Sequence, residues 1–342
     1  MQIPAPLTQA VRPAVAPGVL LSLAVSSVAL TATPFLVPAV ADEFGVSLGL
    51  AAVISSAQLA GFVVGAWAAG RWLRPVPALV RAALLLTGGA FLLSAAVPAY
   101  AVLVALRVVS GVGLGVVTWA AWCGAFGDRR RMADVAVVGP IVGAISAPII
   151  GAIATAGGSR AVFVALGLLA MVPLWSDMGA PGQAHIASGG RRSRPVPAAA
   201  VLLGALVVLT MAGSAVFVYA AALGTDRAGL TTTAVSVAFA LNAIAGVPSA
   251  RWTGDRRWGG LWLLGVAACA VTVATATGAW LFVLALAGWG FFFWMGVPAV
   301  YQLLAERSRN PADRAGDAQA VMAIGRVIGP LVGGAMTLPA RP

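Results

Sequence analysis

The sequence predicts an all-α integral membrane protein of two helical bundles, with eleven transmembrane helices split six and five. Three observations predict this: apolar runs of membrane length, arginines confined to every second loop, and a motif that recurs at one offset. Hydrophobic residues make up 61% of the 342-residue chain and charged residues 9%, far outside the usage of soluble domains. An apolar run of about 20 residues spans the roughly 30 Å hydrocarbon core as a helix.

The runs lie at 18–38, 48–70, 78–97, 100–123, 134–156, 160–177, 198–223, 229–251, 258–277, 279–304 and 316–338. The first follows Arg12 and precedes the small residues Ala39, Val40 and Ala41, as a signal peptide would, but its apolar stretch is too long for one. All basic residues are arginines, and they gather in alternate loops: Arg71, Arg74 and Arg81; Arg129 to Arg131; Arg191, Arg192 and Arg194; Arg251, Arg256 and Arg257; Arg307, Arg309 and Arg314. Only Arg160 and Arg227 sit in the other loops. The positive-inside rule then places the N-terminus and the arginine-rich loops in the cytoplasm of a plasma-membrane protein. The net charge of +11 is a topology signal, and no nucleic-acid partner is expected.

Cys123 and Cys269 lie within or at the ends of apolar segments, and His185 stands alone in the polar loop SDMGAPGQAHIASGGRRSRP. None has metal-ligand spacing, so neither a metal nor a cofactor is expected. That loop, at 179–197, separates an N-terminal unit, 1–178, from a C-terminal one, 198–342.

The chain repeats across it. GAISAPIIG at 143–151 and GRVIGPLVG at 325–333 share one spacing at an offset of 182, and GRWL at 70–73 and ARWT at 250–253 are offset by 180. Two loci with nearly one offset argue for a tandem duplication of a six-helix unit, a parallel repeat of the kind transporters use. A counterpart of the sixth run falls beyond Pro342, so a twelfth helix is expected to be absent. The flank of the eleventh helix is then open to lipid or to a second copy of the chain.

Arg107 is a charge about seven residues inside the fourth run, roughly 10 Å deep. A charge at that depth costs at least ~2.5–3.5 kcal/mol and faces protein or water. Leu114 and Thr118 fall nearest it on a helical wheel, with Ser110, Gly111 and Trp122 close by. Two readings stand: a cavity cation that binds substrate or biases a proton site, or a buried arginine bonded to carbonyls or to Gln58. Arg326 poses the same question in the eleventh run. Glycines 111, 113 and 115 let a neighbouring backbone approach closely. Pro148 and Pro330 each remove a backbone donor within a helix and favour a bend. Among acids, Asp42 and Glu43 at the outer end of the first run are the best proton-coupling candidates, ahead of the boundary residues Asp226 and Asp317.

At these residues the chain resembles the major facilitator superfamily. Arg107, Gly111, Gly113 and Gly115 match the RxxxGxGxG pattern of that family's fourth helix. Gly143, Pro148 and Gly151 resemble its fifth-helix antiporter motif, with Ala147 where the family usually has Gly, and Gly329, Pro330 and Gly333 repeat the spacing. The loop motif G-x-x-x-D-R-x-G-R is poorly kept: GRWLRPVP, with Arg71, has no acid, and ARWTGDRRWG retains Asp255 with shifted spacing.

The resemblance implies the fold of that superfamily, with the first, fourth, seventh and tenth helices around a central cavity. The lining candidates are then Ser26, Ser27 and Thr31; Arg107, Thr118 and Trp122; Thr210, Ser214, Phe217 and Tyr219; and Trp289, Phe292, Phe293 and Trp294. They suit a small, largely apolar or amphipathic molecule. The fifth-helix motif implies export in exchange for protons. No acid pair, metal set or nucleophile with its base supports an enzyme. A non-transporting sensor or assembly subunit on a truncated transporter scaffold is the alternative.

Overall fold

The computed structural model describes residues 15–125, 129–179, 195–252, 258–307 and 311–337. His185, Arg191, Asp255 and residues 338–342 lie outside them, so the expectations resting on these have no structural counterpart below.

Among the described residues eleven helical segments follow the eleven apolar runs. The first four are α1 (Pro17–Phe44), α2 (Leu48–Trp72), α3 (Pro77–Ser94) and α4 (Tyr100–Ala125). Arg129–Met171 is helical on both sides of Gly158, whose φ of 63° only glycine adopts readily, so it comprises α5 (129–157) and α6 (159–171). A 3₁₀ turn, Val172–Trp175, ends α6. Then come α7 (Pro197–Phe217, continued by Ala220–Asp226), α8 (Thr232–Arg251), α9 (Gly259–Thr275), α10 (Ala279–Glu306) and α11 (Pro311–Thr337).

Local chemistry sets the ends. Pro17, Pro77 and Pro197 open α1, α3 and α7, where a missing N–H costs nothing. The α1–α2 and α7–α8 connections are built alike. In each, a left-handed glycine (Gly45, φ 62°; Gly229, φ 67°) is followed by an apolar residue and then by a hydroxyl N-cap. Ser47 accepts from the Leu50 N–H and Thr231 from the Ala234 N–H.

The exterior matches a lipid environment. Trp175, Trp280, Trp258 and Trp72 are at least two-thirds exposed and sit at segment ends, where an aromatic belt meets the membrane interface. Arg71, Arg74, Arg251 and Arg307 lie at one end of the bundle, with Arg71 over the Trp67 ring at 5.5 Å. Asp42, Glu43, Arg160, Asp226 and Arg227 lie at the other. These are the arginine-rich and arginine-poor ends below.

Packing repeats as the sequence does. Helix α4 packs on α2 and α3, as α10 packs on α8 and α9; α1 packs on α5, as α7 packs on α11. Between the two sets, α2 meets α11 and α5 meets α8. Small residues make these seams. A Cβ on Gly111 or Gly115 would land on the Gln58 or Phe62 carbonyl of α2, and one on Gly61 or Gly65 on the Val108 or Val112 carbonyl of α4. Gly113 abuts Thr87 and Ala83 of α3. Gly143 and Gly151 face Ala243 and Ser236 of α8, with Thr31 and Phe35 of α1 beside them, and Ala147 is fully buried. Gly325, Gly329 and Gly333 carry α11 onto α7 at Thr210, Ser214 and Ala215.

Candidate functional site

A cavity of about 620 Å³ opens at the arginine-poor end, between α1 and α5 on one side and α7 and α8 on the other. Asp42, Glu43, Arg160, Thr155, Thr225 and Thr232 supply its polar wall, and Phe35 and Val235 lie among its lining. Glu43 is held: the Ser159 hydroxyl and the Arg160 guanidinium both donate to it. Both donors follow Gly158, so the glycine turn between α5 and α6 fixes the end of α1. Asp226 accepts from Thr225 at 3.1 Å on the surface. Asp317 is elsewhere, paired with the buried Arg314 at 2.7 Å near the arginine-rich end.

Below the cavity four rings form one layer. Phe35 meets Phe239 at 5.3 Å, Phe239 meets Phe217 at 5.2 Å, and Phe217 meets Trp289 at 5.7 Å between centroids. They come from α1, α8, α7 and α10. Each lies seven to ten residues from the arginine-poor end of its segment, a similar depth of roughly 10–15 Å at 1.5 Å per residue. Phe35, Phe239 and Trp289 are nearly fully buried. Phe217 and Trp289 were expected in such a wall. Phe35 and Phe239 were missed, and their similar distance from the helix ends was the available signal.

On the arginine-rich side of the layer, the Thr118 hydroxyl of α4 donates to Ser26 of α1 at 3.2 Å, and Thr31 sits beside Gly143. Trp122 is half-buried against the cluster that Leu23 of α1 and Val135 of α5 form with Ala121 and Ala125 of α4. Trp294 covers Gly139 and Gly246, with Phe293 against it at 5.7 Å. Ser214 and Tyr219 serve a different joint: Ser214 packs on Gly329, and the Tyr219 hydroxyl donates to the Pro330 carbonyl at 2.8 Å.

The two membrane arginines differ. Arg107 is 1% exposed and does not face the α1–α7 space in this structure. Its guanidinium lies between Phe91 of α3 at 4.4 Å and Phe163 of α6 at 4.8 Å, and it donates to Ser110 at 2.8 Å rather than to Gln58. Arg326 is half-buried, beside Tyr301 of α10.

Sequence and fold comparisons agree on the class. The profile of the Major Facilitator Superfamily matches residues 19–334. No curated protein sequence matches the chain. The fold resembles the crystal structure of the human organic anion transporter MFSD10, with TM-score 0.67 at 14% identity, over 93% of this chain and 92% of that one. It also resembles a bacterial homolog of the human lysosomal transporter Spinster, inward-facing and occupied, with TM-score 0.64 at 15% identity, over 92% and 80%. The nucleoside transporter NupG gives 0.65 at 12% identity, over 93% and 89%.

Proposed function

Because this chain belongs to the major facilitator superfamily, and is thereby a membrane transporter, we propose that it moves a small, largely apolar or amphipathic molecule by alternating access, exporting it in exchange for protons. The observation that carries this reading is the aromatic layer. Four helices from both repeats contribute one ring each at a similar depth, beneath a cavity at the arginine-poor end. Such a layer seals the path by packing alone, and it opens when the six-helix unit, 1–178, and the five-helix unit, 198–342, tilt apart. The α5–α8 and α2–α11 seams are the surfaces on which they move. Asp42 and Glu43 stand in the cavity as acids for proton exchange.

Purified protein in liposomes, given a pH gradient and offered octanoate, octylamine and octanol in turn, is expected to move at least one of them in a gradient-dependent way. Flux of all three equal to that of empty liposomes, with the protein folded, overturns transport. Trp289→Ala is expected to change flux more than Trp280→Ala, whose ring is 81% exposed outside the layer.

The arginine-rich end belongs in the cytoplasm. In a background lacking Cys123 and Cys269, Arg227→Cys should react with an impermeant maleimide added to intact cells, and Arg74→Cys should react only after lysis. The reverse pattern inverts the orientation.

A further inference from the structure

We infer that Arg326, with Tyr301 and Gln319, is the site that binds the anionic head of an amphiphilic substrate. The inference rests on the transport reading and adds the substrate's charge. Arg326 lies nine residues from either end of the apolar span Asp317–Ala335, so it is at mid-membrane, roughly 13 Å from each end. A guanidinium there is stable only when it is paired with an anion, bonded to carbonyls or wetted by a cavity. Among the described residues it makes no ion pair and no hydrogen bond.

Its direction follows from its neighbours in sequence. Gly325 faces α7, and the Val327 carbonyl accepts from Ser56 of α2 at 2.8 Å, so Arg326 points between those two helices, away from lipid. Met322 and Gln319 precede it by one and two turns on the same face, and both hold Tyr301 of α10. Gln319 donates to the Tyr301 hydroxyl at 3.1 Å, and that hydroxyl turns toward the Met322 sulfur at 3.0 Å. A thioether is a weak acceptor. The Tyr301 O–H is therefore a donor that a carboxylate can claim, alongside the five donors of the guanidinium.

Arg107 is the internal contrast. It is sealed between two rings, whereas Arg326 is only half-buried. A planar fork, a phenol and a carboxamide on one face match a carboxylate or sulfonate. The half-buried Phe293 and Trp294, on the same helix as Tyr301, are at hand for an apolar tail.

The test uses the full-length protein in non-ionic detergent, titrated with sodium octanoate, octylamine hydrochloride, octanol and sodium acetate, with tryptophan fluorescence and thermal unfolding as readouts. Octanoate is expected to bind most tightly. Arg326→Gln should weaken octanoate by about ten- to a hundred-fold, the range of a charge-assisted hydrogen bond, while leaving octanol unchanged. Arg326→Lys should recover part of the loss, and Tyr301→Phe should cost a few-fold. If Arg326→Gln does not fold, the wild-type order of probes and Tyr301→Phe decide. Octylamine or octanol binding as well as octanoate overturns the assignment, as does octanoate binding unchanged by Arg326→Gln, and acetate equal to octanoate removes the amphiphile from it. Octanoate bound through Arg326 without flux would refute transport and leave the site standing; flux of octanol alone would do the opposite.

Discussion

Replacing Arg107 by methionine leaves the folded protein as stable as wild type or more so, whereas Arg107→Ala costs about 2–5 kcal/mol, the usual range for a large buried side chain cut to alanine. The guanidinium is 1% exposed and has one hydrogen bond, to Ser110 at 2.8 Å. Its Nε and Nη1 atoms have no partner among the described residues. Two rings at 4.4 and 4.8 Å give back cation–π attraction, worth up to about 2 kcal/mol each when desolvated. Each unbonded donor costs about 1–3 kcal/mol. These contributions nearly cancel, so the charge adds little net stability and an apolar isostere is tolerated. What remains is volume: the stem and head fill the space between α3, α4 and α6, and alanine empties it. Thermal unfolding of the two variants in detergent checks the order, and a methionine variant less stable than the alanine one would refute it. Flux then separates the roles. Wild-type flux in Arg107→Met confines the residue to packing, and lost flux in a folded Arg107→Met assigns the guanidinium a part in transport.

The direction of Arg107 was the feature that its sequence context concealed. Its depth and its burial were legible from an apolar run with one charge. The helical wheel also put it on one stripe with Thr118, which led toward the cavity. In the structure that stripe meets different helices at different depths. Arg107 touches α3 and α6, while Thr118, three turns on, bonds to Ser26 of α1. Packed helices cross at an angle, so a face continuous in sequence changes neighbours along its length. Periodicity gives the face and not the partner.

The fold was more legible, because its causes are local. Runs of membrane length, alternating arginines and the recurring glycine–proline spacing each survive without knowledge of any contact. The split of the fifth and sixth runs at residues 156 to 160 coincides with the positive φ of Gly158. The matching turns Gly45-Val46-Ser47 and Gly229-Leu230-Thr231, offset by 184 residues, would have been a further mark of the repeat. They escape a search for motifs because serine and threonine are different letters for one capping group. The aromatic layer was half visible: Phe217 and Trp289 were named through the resemblance, whereas Phe35 was passed over on the first helix for the polar Ser26, Ser27 and Thr31, and Phe239 belongs to α8, outside the cavity set.

The seam between α2 and α4 gives the largest expected loss. Gly111→Val or Gly115→Val should abolish recovery of folded protein, and Gly61→Val or Gly65→Val should do the same. In lipid there is no hydrophobic drive to join helices, so close packing must supply the association energy. Here the two backbones touch through four glycines. A Cβ at each would fall on a main-chain carbonyl of the partner helix, of Gln58, Phe62, Val108 or Val112, and a helix backbone cannot swing aside as a side chain does. The helices must separate, and contacts along the whole seam weaken together. Alanine at a single position should cost about 1–3 kcal/mol, the range for overpacking. Gly111→Ala combined with Gly61→Ala should cost less than the sum, because the first separation already makes room for the second methyl. Gly89 and Gly260 are helical glycines with open space around an added Cβ. Alanine there should instead stabilise by about 0.5–1 kcal/mol through helix propensity. Monodisperse yield in detergent and thermal unfolding of the six alanine variants read out both signs. Melting temperatures that fall equally at Gly89 and Gly111 would show that the close approach of α2 to α4 is not what holds them together.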